Sequence, residues 1–317
     1  MSEFGLIQRY FTRATPGAVL GVGDDAALLH IANGMELAVS TDMLVSGTHF
    51  FDDADPYLLG HKALAVNISD MAAMGAQPRW ATLSLSLPSE NQAWLERFSA
   101  GFFALADQYK VELVGGDTTH GPLNVSVTIM GEVPQGKALR RDGTQAGDEI
   151  WVSGKLGDAA IALAHLQGKL TLDENSFNAC AIHLHRPMPR VELGLALRGL
   201  AHSAIDISDG LLADLGHILE RSHVAAEIQF EALPVSTHLQ PYLAQDLGKR
   251  CVLAGGDDYE LCFTAGATRH TDIEKISKQL NLPLTCIGRI QAGTGCIVRA
   301  ADGKEMTIKE TGYDHFA

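Results

Sequence analysis

The stretch WATLSLSLPSENQAWLERFSAGFFALADQYKVELVGGDTT, residues 80–119, decides the fold class. Leu83, Leu85 and Leu87 alternate with Ser84 and Ser86, and the run stops at Pro88. Strict alternation closed by a proline predicts a half-buried strand. Residues 92–110 then carry apolar side chains at helical spacing, which predicts an amphipathic helix. VELVGG returns to an apolar run and reads as a second strand. Strand, helix and strand in immediate succession mark an α/β or α+β chain with mixed sheets flanked by helices.

The end of the same stretch raises a chemical question. Gly115 and Gly116 are followed by Asp117, Thr118 and Thr119. Phosphate cradles usually follow their glycines with a lysine or a helix N-terminus, yet here an acid arrives. A carboxylate does not bind phosphate itself, but it can hold the Mg²⁺ that does. Glycines would let the backbone approach such a ligand closely. The alternative is a tight turn made by the glycines and capped by the threonines.

Outward from this unit, MELAVSTD (35–42) alternates and predicts a strand ending in an acid. YLLGHKALAVNISDMAAMGA (57–76) predicts a buried helix, and NVSVTIMGEV another strand. KALRRDGTQAGD (137–148) is polar and turn-rich, which places a boundary between domains 1–137 and 138–317. Beyond it EIWVSG, AIDIS, AAEIQFEALP and TCIGRI read as strands. LGDAAIALAHLQ, the segment after the prolines of RPMPRVELGLALRGL, and DGLLADLGHILERS read as helices. CVLAGG runs directly into DDYELCFTA. There is no short internal repeat.

The composition narrows the partners. The formal net charge is −14, with 46% hydrophobic residues over 317 positions. An acidic balance argues against a nucleic-acid groove. No apolar run reaches membrane-span length, and MSEFGLIQRYF has no signal-peptide pattern, so a cytoplasmic protein is expected. Five cysteines without C-x-x-C spacing predict reduced, structural thiols.

Acids recur at the ends of apolar runs. Asp24 and Asp25 follow Gly23, Asp42 closes LAVSTD, and Asp70 sits inside an apolar helix with Asn67 on its face. Asp206 and Asp209 lie in AIDISDG, and Asp257 and Asp258 in LAGGDDYEL. Each alone has an ordinary reading as turn chemistry, and Asp209 could cap a helix. Together they would be costly to bring close without a hard cation, and Mg²⁺ takes oxygen ligands while leaving positions for phosphates. Weaker candidates are Lys155 in the glycine-rich SGKLGDAA, the adjacent Arg140 and Arg141, and His49. No zinc spacing or nucleophile–base arrangement is legible.

GDDAALL, STDMLVSGTHF, KALAVNISDMAAMGA, LVGGDTT, RRDG…GDEIWVSGKLGDAA, AIDISDGLLADLGHI, LAGGDDYELCF and GYDHF occur in this order over nearly the whole chain. Together they resemble the thiamine-monophosphate kinases, within the superfamily of aminoimidazole ribonucleotide synthetase-like ATP-binding proteins. The resemblance implies a two-domain fold whose N-terminal domain pairs with its twin in a homodimer. It also implies Mg²⁺-dependent transfer of the ATP γ-phosphoryl group to thiamine monophosphate. It puts several Mg²⁺ ions on Asp25, Ser40, Thr41, Asp42, Asp70, Asp117, Asp206 and Asp209. ATP falls on Gly116, Asp117, Arg141 and Ser208, and the thiamine substrate on His49, Asp257, Glu310 and Tyr313. Asp257 stands where the family pattern has a glutamate, and Glu310 where it has an aromatic. Other ATP-dependent enzymes of the superfamily fit less well: selenophosphate synthetase relies on an early cysteine, and the first here is Cys180. A non-catalytic nucleotide- or Mg²⁺-sensing module would need fewer acids. Charge neutralisation suffices for direct transfer, so no catalytic His or Cys is expected.

Overall fold

The computed structural model describes residues 3–308 and 310–313. They form two compact units, Met1–Met71 with Ala76–Gly136, and Ala72–Gly75 with Lys137–Ala317. The short α1 (Glu3–Leu6) opens the first unit and runs into a π-helical turn. It is followed by β1 (Met35–Val45), α2 (Pro56–Ala73), β2 (Gln77–Leu87), α3 (Gln92–Tyr109), β3 (Glu112–His120) and β4 (Asn124–Pro134).

The sheet runs β1-β4-β2-β3. β4 is antiparallel to both neighbours. β2 and β3 are parallel, as a helical crossover requires. Asn91 caps α3 by accepting the Trp94 N–H at 3.0 Å, and Lys110 ends the helix in the left-handed region. α2 and α3 cross through glycines. A Cβ on Gly101 would meet the Tyr57 carbonyl oxygen at 1.9 Å, so no larger residue permits the crossing.

One sheet face is buried: Leu83, Leu85, Val125, Val127 and Ile129 are all at most 4% exposed. α2 lies on this face, where Met71 sits against Gly131. The other face is open. Along β1 it presents Leu37, Val39 and Met43, exposed at 44%, 57% and 54%, and along β2 it presents Ser84.

The second unit contains β5 (Glu149–Ser153), α4 (Asp158–Leu166), α5 (Glu174–His185), α6 (Val191–Leu197), β6 (Ser203–Asp206), α7 (Leu211–Ser222) and β7 (Ala225–Gln229). It continues with α8 (Asp246–Ala254), β8 (Leu261–Ala265), α9 (His270–Leu280), β9 (Leu284–Gln291) and β10 (Gly295–Arg299). Its sheet runs β10-β7-β9-β5-β8-β6, antiparallel except for β10 and β7. Ile150, Val152, Ile205, Leu215 and Ile287 belong to its core.

The structure refines three segments. β3 runs beyond the expected VELVGG, through Asp117 to His120, so the alternative of a tight turn at the glycines is excluded. Cys251–Ala254 close α8, and Gly255–Glu260 form an irregular connection before β8 begins at Leu261. The strand in AAEIQFEALP stops at Gln229, and a 3-10 turn follows.

Candidate active site

In the first unit, β1 and α2 are joined through the predicted acids. The Ser40 hydroxyl donates to Asp70 Oδ2 at 2.6 Å. The Asp42 backbone N–H donates to Asn67 Oδ1 at 3.1 Å, and the Asn67 amide donates onward to the Ala63 carbonyl at 3.0 Å. Asn67 is 1% exposed, so its orientation is fixed by packing and by both bonds. Ser40 and Asp42 alternate onto the α2 side of β1, while Thr41 faces the open side, where its hydroxyl meets that of Thr128. Ser40, Asp42 and Asp70 are thus drawn together at one corner. Asp25 is exposed in the loop before β1, its N–H bonded to Asp24 Oδ1 at 3.0 Å.

Asp117 is elsewhere. β3 carries a bulge: Leu113 pairs with Ala81 but Gly115 with Thr82, leaving Val114 as the extra residue. Gly116 then takes a φ of 148°, and a Cβ there would meet the Leu83 carbonyl oxygen at 1.9 Å. Only glycine lets the strands run this close. Asp117 pairs with Ser84 and is exposed, whereas Asp42 pairs with the buried Val127. The two acids therefore stand on opposite faces and on the two edge strands. At roughly 4.8 Å per strand, three steps separate them by about 14 Å.

In the second unit, the segment after β6 and the segment before β8 run side by side. The Ile207 N–H donates to the Glu260 carbonyl at 2.8 Å, Tyr259 N–H to Ile207 at 2.8 Å, and Asp257 N–H to Ser208 at 2.9 Å. The Tyr313 N–H donates to the Asp209 carbonyl at 3.0 Å. Ser208, Asp209, Asp257 and Tyr313 are thereby gathered, with Asp206 at the end of β6. Asp257 and Tyr259 both have positive φ, 70° and 49°. Asp tolerates the left-handed region better than Glu does, which accounts for an aspartate at this position.

Residues that the sequence reading did not single out support these segments. α7 has Gly210 as its N-cap and no side-chain cap, so Asp209 does not cap it. Instead Asp214 Oδ2 accepts the N–H groups of Ser208, Asp209 and Gly210 at 3.0, 3.0 and 3.1 Å. Burial, together with the neighbouring Asp209 charge, pushes the Asp214 carboxyl up to about 7 against the three N–H donors. Asp258 accepts the Gly157 N–H at the start of α4, and burial holds its carboxyl well above the usual range. Glu260 is held by both arms of the Arg190 guanidinium and by Ser153. Asp214 could have been found as Asp70 was, since it lies on the apolar stripe of Leu211 and Ile218.

In the SGKLGDAA loop the Gly157 N–H is already taken by Asp258. Arg140 is held by Asp142, whereas Arg141 has no acidic partner among the described residues. Glu310 pairs with Arg250 at 2.6 Å. His49 accepts the Val45 N–H on Nδ1 at 3.0 Å, leaving its proton on Nε2. Asp314, His315 and Phe316 of the GYDHF motif lie outside the described residues. Burial pushes the thiols of Cys180, Cys251 and Cys296 up to about 12, which keeps them protonated at neutral pH.

Among the described residues no three His, Cys, Asp or Glu side chains could hold a metal ion unaided. The corner of Ser40, Asp42 and Asp70 instead offers a hydroxyl and two carboxylates, an oxygen-only set. That fits Mg²⁺, which completes its shell with water and phosphate oxygens. No helix among the described residues is long and apolar enough to cross a membrane.

Comparison with known proteins gives a consistent picture. Residues 23–133 match the model of the AIR synthase related protein N-terminal domain, and residues 145–301 that of the C-terminal domain. The chain is 47% identical to the thiamine-monophosphate kinase of Escherichia coli K12 over 99% of its own length and 98% of that protein's. The Haemophilus influenzae thiamine-monophosphate kinase is 44% identical over 100% and 98%. Among solved structures, the thiamine-monophosphate kinase from Stenotrophomonas maltophilia superposes with a TM-score of 0.88 at 50% identity, covering 96% of this chain and 98% of that one. A complex of AaThiL with AMPPCP and TMP superposes with a TM-score of 0.79 at 33% identity, covering 99% and 96%.

Proposed function

Because the chain belongs to the thiamine-monophosphate kinase family, with the two domains of the AIR synthase related proteins, we propose that it transfers the γ-phosphoryl group of ATP to thiamine monophosphate. The products are thiamine diphosphate and ADP. The observation that carries this reading is the corner of Ser40, Asp42 and Asp70. It offers oxygen ligands alone, joined by a 2.6 Å hydrogen bond, to an otherwise repulsive encounter of two anions.

Both substrates are phosphates, and the chain carries a formal net charge of −14. Ser40, Asp42, Asp70 and Asp25 would hold Mg²⁺ in the first unit, with Thr41, whose hydroxyl faces the open side, joining only through its backbone oxygen; Asp206 and Asp209 would hold it in the second. Bound there, Mg²⁺ supplies the positive charge that lets the donor and acceptor phosphates approach in line. Gly116 and Asp117 on β3, Arg141 and Ser208 are the ATP contacts in this reading. Arg141 suits the role because it is exposed and has no acidic partner among the described residues. His49, Asp257 and Tyr313 are the thiamine-substrate contacts in this reading. Glu310 is the weakest of that set, being ion-paired with Arg250.

The acceptor phosphate needs no strong base, since its second ionisation lies near pH 6. One of its oxygens forms the new bond to the γ-phosphorus, the β–γ bridging P–O bond breaks, and ADP carries the electron pair away. No residue is phosphorylated on this reading.

The proposed homodimer is supported by the same sheet geometry. Asp42 and Asp117 stand on opposite edges and faces of one sheet. A site that uses both draws on two copies of the chain, and the open face with Leu37, Val39 and Met43 is the surface they would share. The enzyme works in the cytoplasm on this reading.

The test is ADP release on mixing the protein with ATP, Mg²⁺ and thiamine monophosphate. Turnover should need all three and should not occur with unphosphorylated thiamine. Tight nucleotide binding without thiamine-phosphate-dependent turnover would instead identify a nucleotide sensor.

A further inference from the structure

We infer that Asp214 is a positioning residue for the Ser208–Gly210 loop: it takes the place of a bound anion at the start of α7 and so fixes the loop that carries Ser208 and Asp209. The inference rests on the kinase reading for the roles of those two residues, and on geometry for everything else.

Three consecutive backbone N–H groups converge on a single oxygen, Asp214 Oδ2, at 3.0, 3.0 and 3.1 Å. Successive N–H groups turned to one point, at a helix N-terminus, make the concavity that phosphates and sulfates occupy in other proteins. Here the acceptor oxygen comes from one turn into the helix. Asp214 is 3% exposed, so no outside anion shares the position. Gly210 makes the geometry possible. Its φ of 126° belongs to glycine, and a Cβ there would meet the backbone of Ala254 at 2.7 Å.

Two consequences follow. The loop's N–H groups are already committed, so it can donate to a nucleotide phosphate only through a side chain, that of Ser208. The loop is also the template for its neighbours, because Asp257 bonds the Ser208 carbonyl and Tyr313 the Asp209 carbonyl. Loss of the Asp214 oxygen leaves three donors without their acceptor and frees the loop to turn.

Paired variants test this. Asn keeps an acceptor oxygen at the same reach, whereas Ala removes it. D214A should lower kcat/KM for ATP by about tenfold or more, the scale set by unsatisfied buried donors, while D214N stays within about threefold of the parent. Wild-type ATP kinetics in D214A, or an equal loss in both variants, would overturn the assignment. Amide hydrogen exchange in the unmodified enzyme provides an independent reading even where D214A does not fold. The amides of Ser208, Asp209 and Gly210 should exchange slowly, and fast exchange there would also overturn it. If the unmodified enzyme shows no thiamine-phosphate-dependent turnover, the kinase reading fails, while the exchange result still decides the role of Asp214.

Discussion

Asp42 and Asp70 differ in how they are held, and that difference decides what each substitution would do. Asp70 accepts the Ser40 hydroxyl through its carboxylate, whereas Asp42 is fixed through its backbone N–H on Asn67. Asp42→Asn therefore leaves the Asn67 bond in place and removes charge alone. We expect turnover to fall by about a hundredfold or more, the scale of losing one electrostatic contact to a transferring group. Circular dichroism and the melting temperature should stay at parent values, and near-normal turnover would remove Asp42 from the metal site. Both acids were legible in the sequence because an acid in an apolar run must be paired with something. Asp214 obeyed the same rule within LLADLGHIL, but its run also reads as an ordinary amphipathic helix. Asp257 gave no sign in sequence of its left-handed backbone, which depends on ladder bonds to residues some fifty positions away.

At the scale of elements, strands and helices with strong periodicity were legible: β1, β2, α2, α3 and α7 all sit where their apolar spacing predicts them. α5 and α9 were not read, and α9 shows why, since it buries only Ile273. β3 was read only as far as Gly116, because Gly-Gly-Asp is turn chemistry unless a neighbouring strand demands close approach. That demand is a property of the pairing with Leu83 and is absent from the local sequence. The connection between α8 and β8 carries its own testable consequence. Burial raises the Asp258 carboxyl well above 3.8, its ordinary value. A carboxyl raised in the folded state favours folding below its unfolded pKa, and that contribution is lost as pH rises through the folded value. Asp258→Asn keeps an acceptor for the Gly157 N–H and cannot ionise. Melting temperatures from pH 5 to pH 9 should show the variant gaining on the parent as pH rises. Parallel curves would mean that Asp258 ionises freely.

For the whole molecule, two domains and an α/β class were legible from alternating elements and the polar stretch at 137–148. The four-residue contribution of Ala72–Gly75 to the second unit was not, because it interrupts the first unit's sequence. The open sheet face was partly visible as LAVSTDML, whose alternation sets Val39, Thr41 and Met43 on one side. Sequence alone left open whether that side met a helix, solvent or a second chain. If a second copy covers it, Met43→Lys should place a charge in the shared surface. Sedimentation should then show monomer, with thiamine-phosphate-dependent turnover lost alongside. A dimeric, active Met43→Lys protein would point the shared surface elsewhere.

The placement of Asp42 and Asp117 on opposite edges of one sheet also has a consequence for mass action. A catalyst assembled within one chain keeps the same rate per molecule however far it is diluted. One that needs an acid from each of two chains does not. Below the concentration at which copies separate, its total rate should fall with the square of protein concentration, and excess substrate that bridges both acids should restore it.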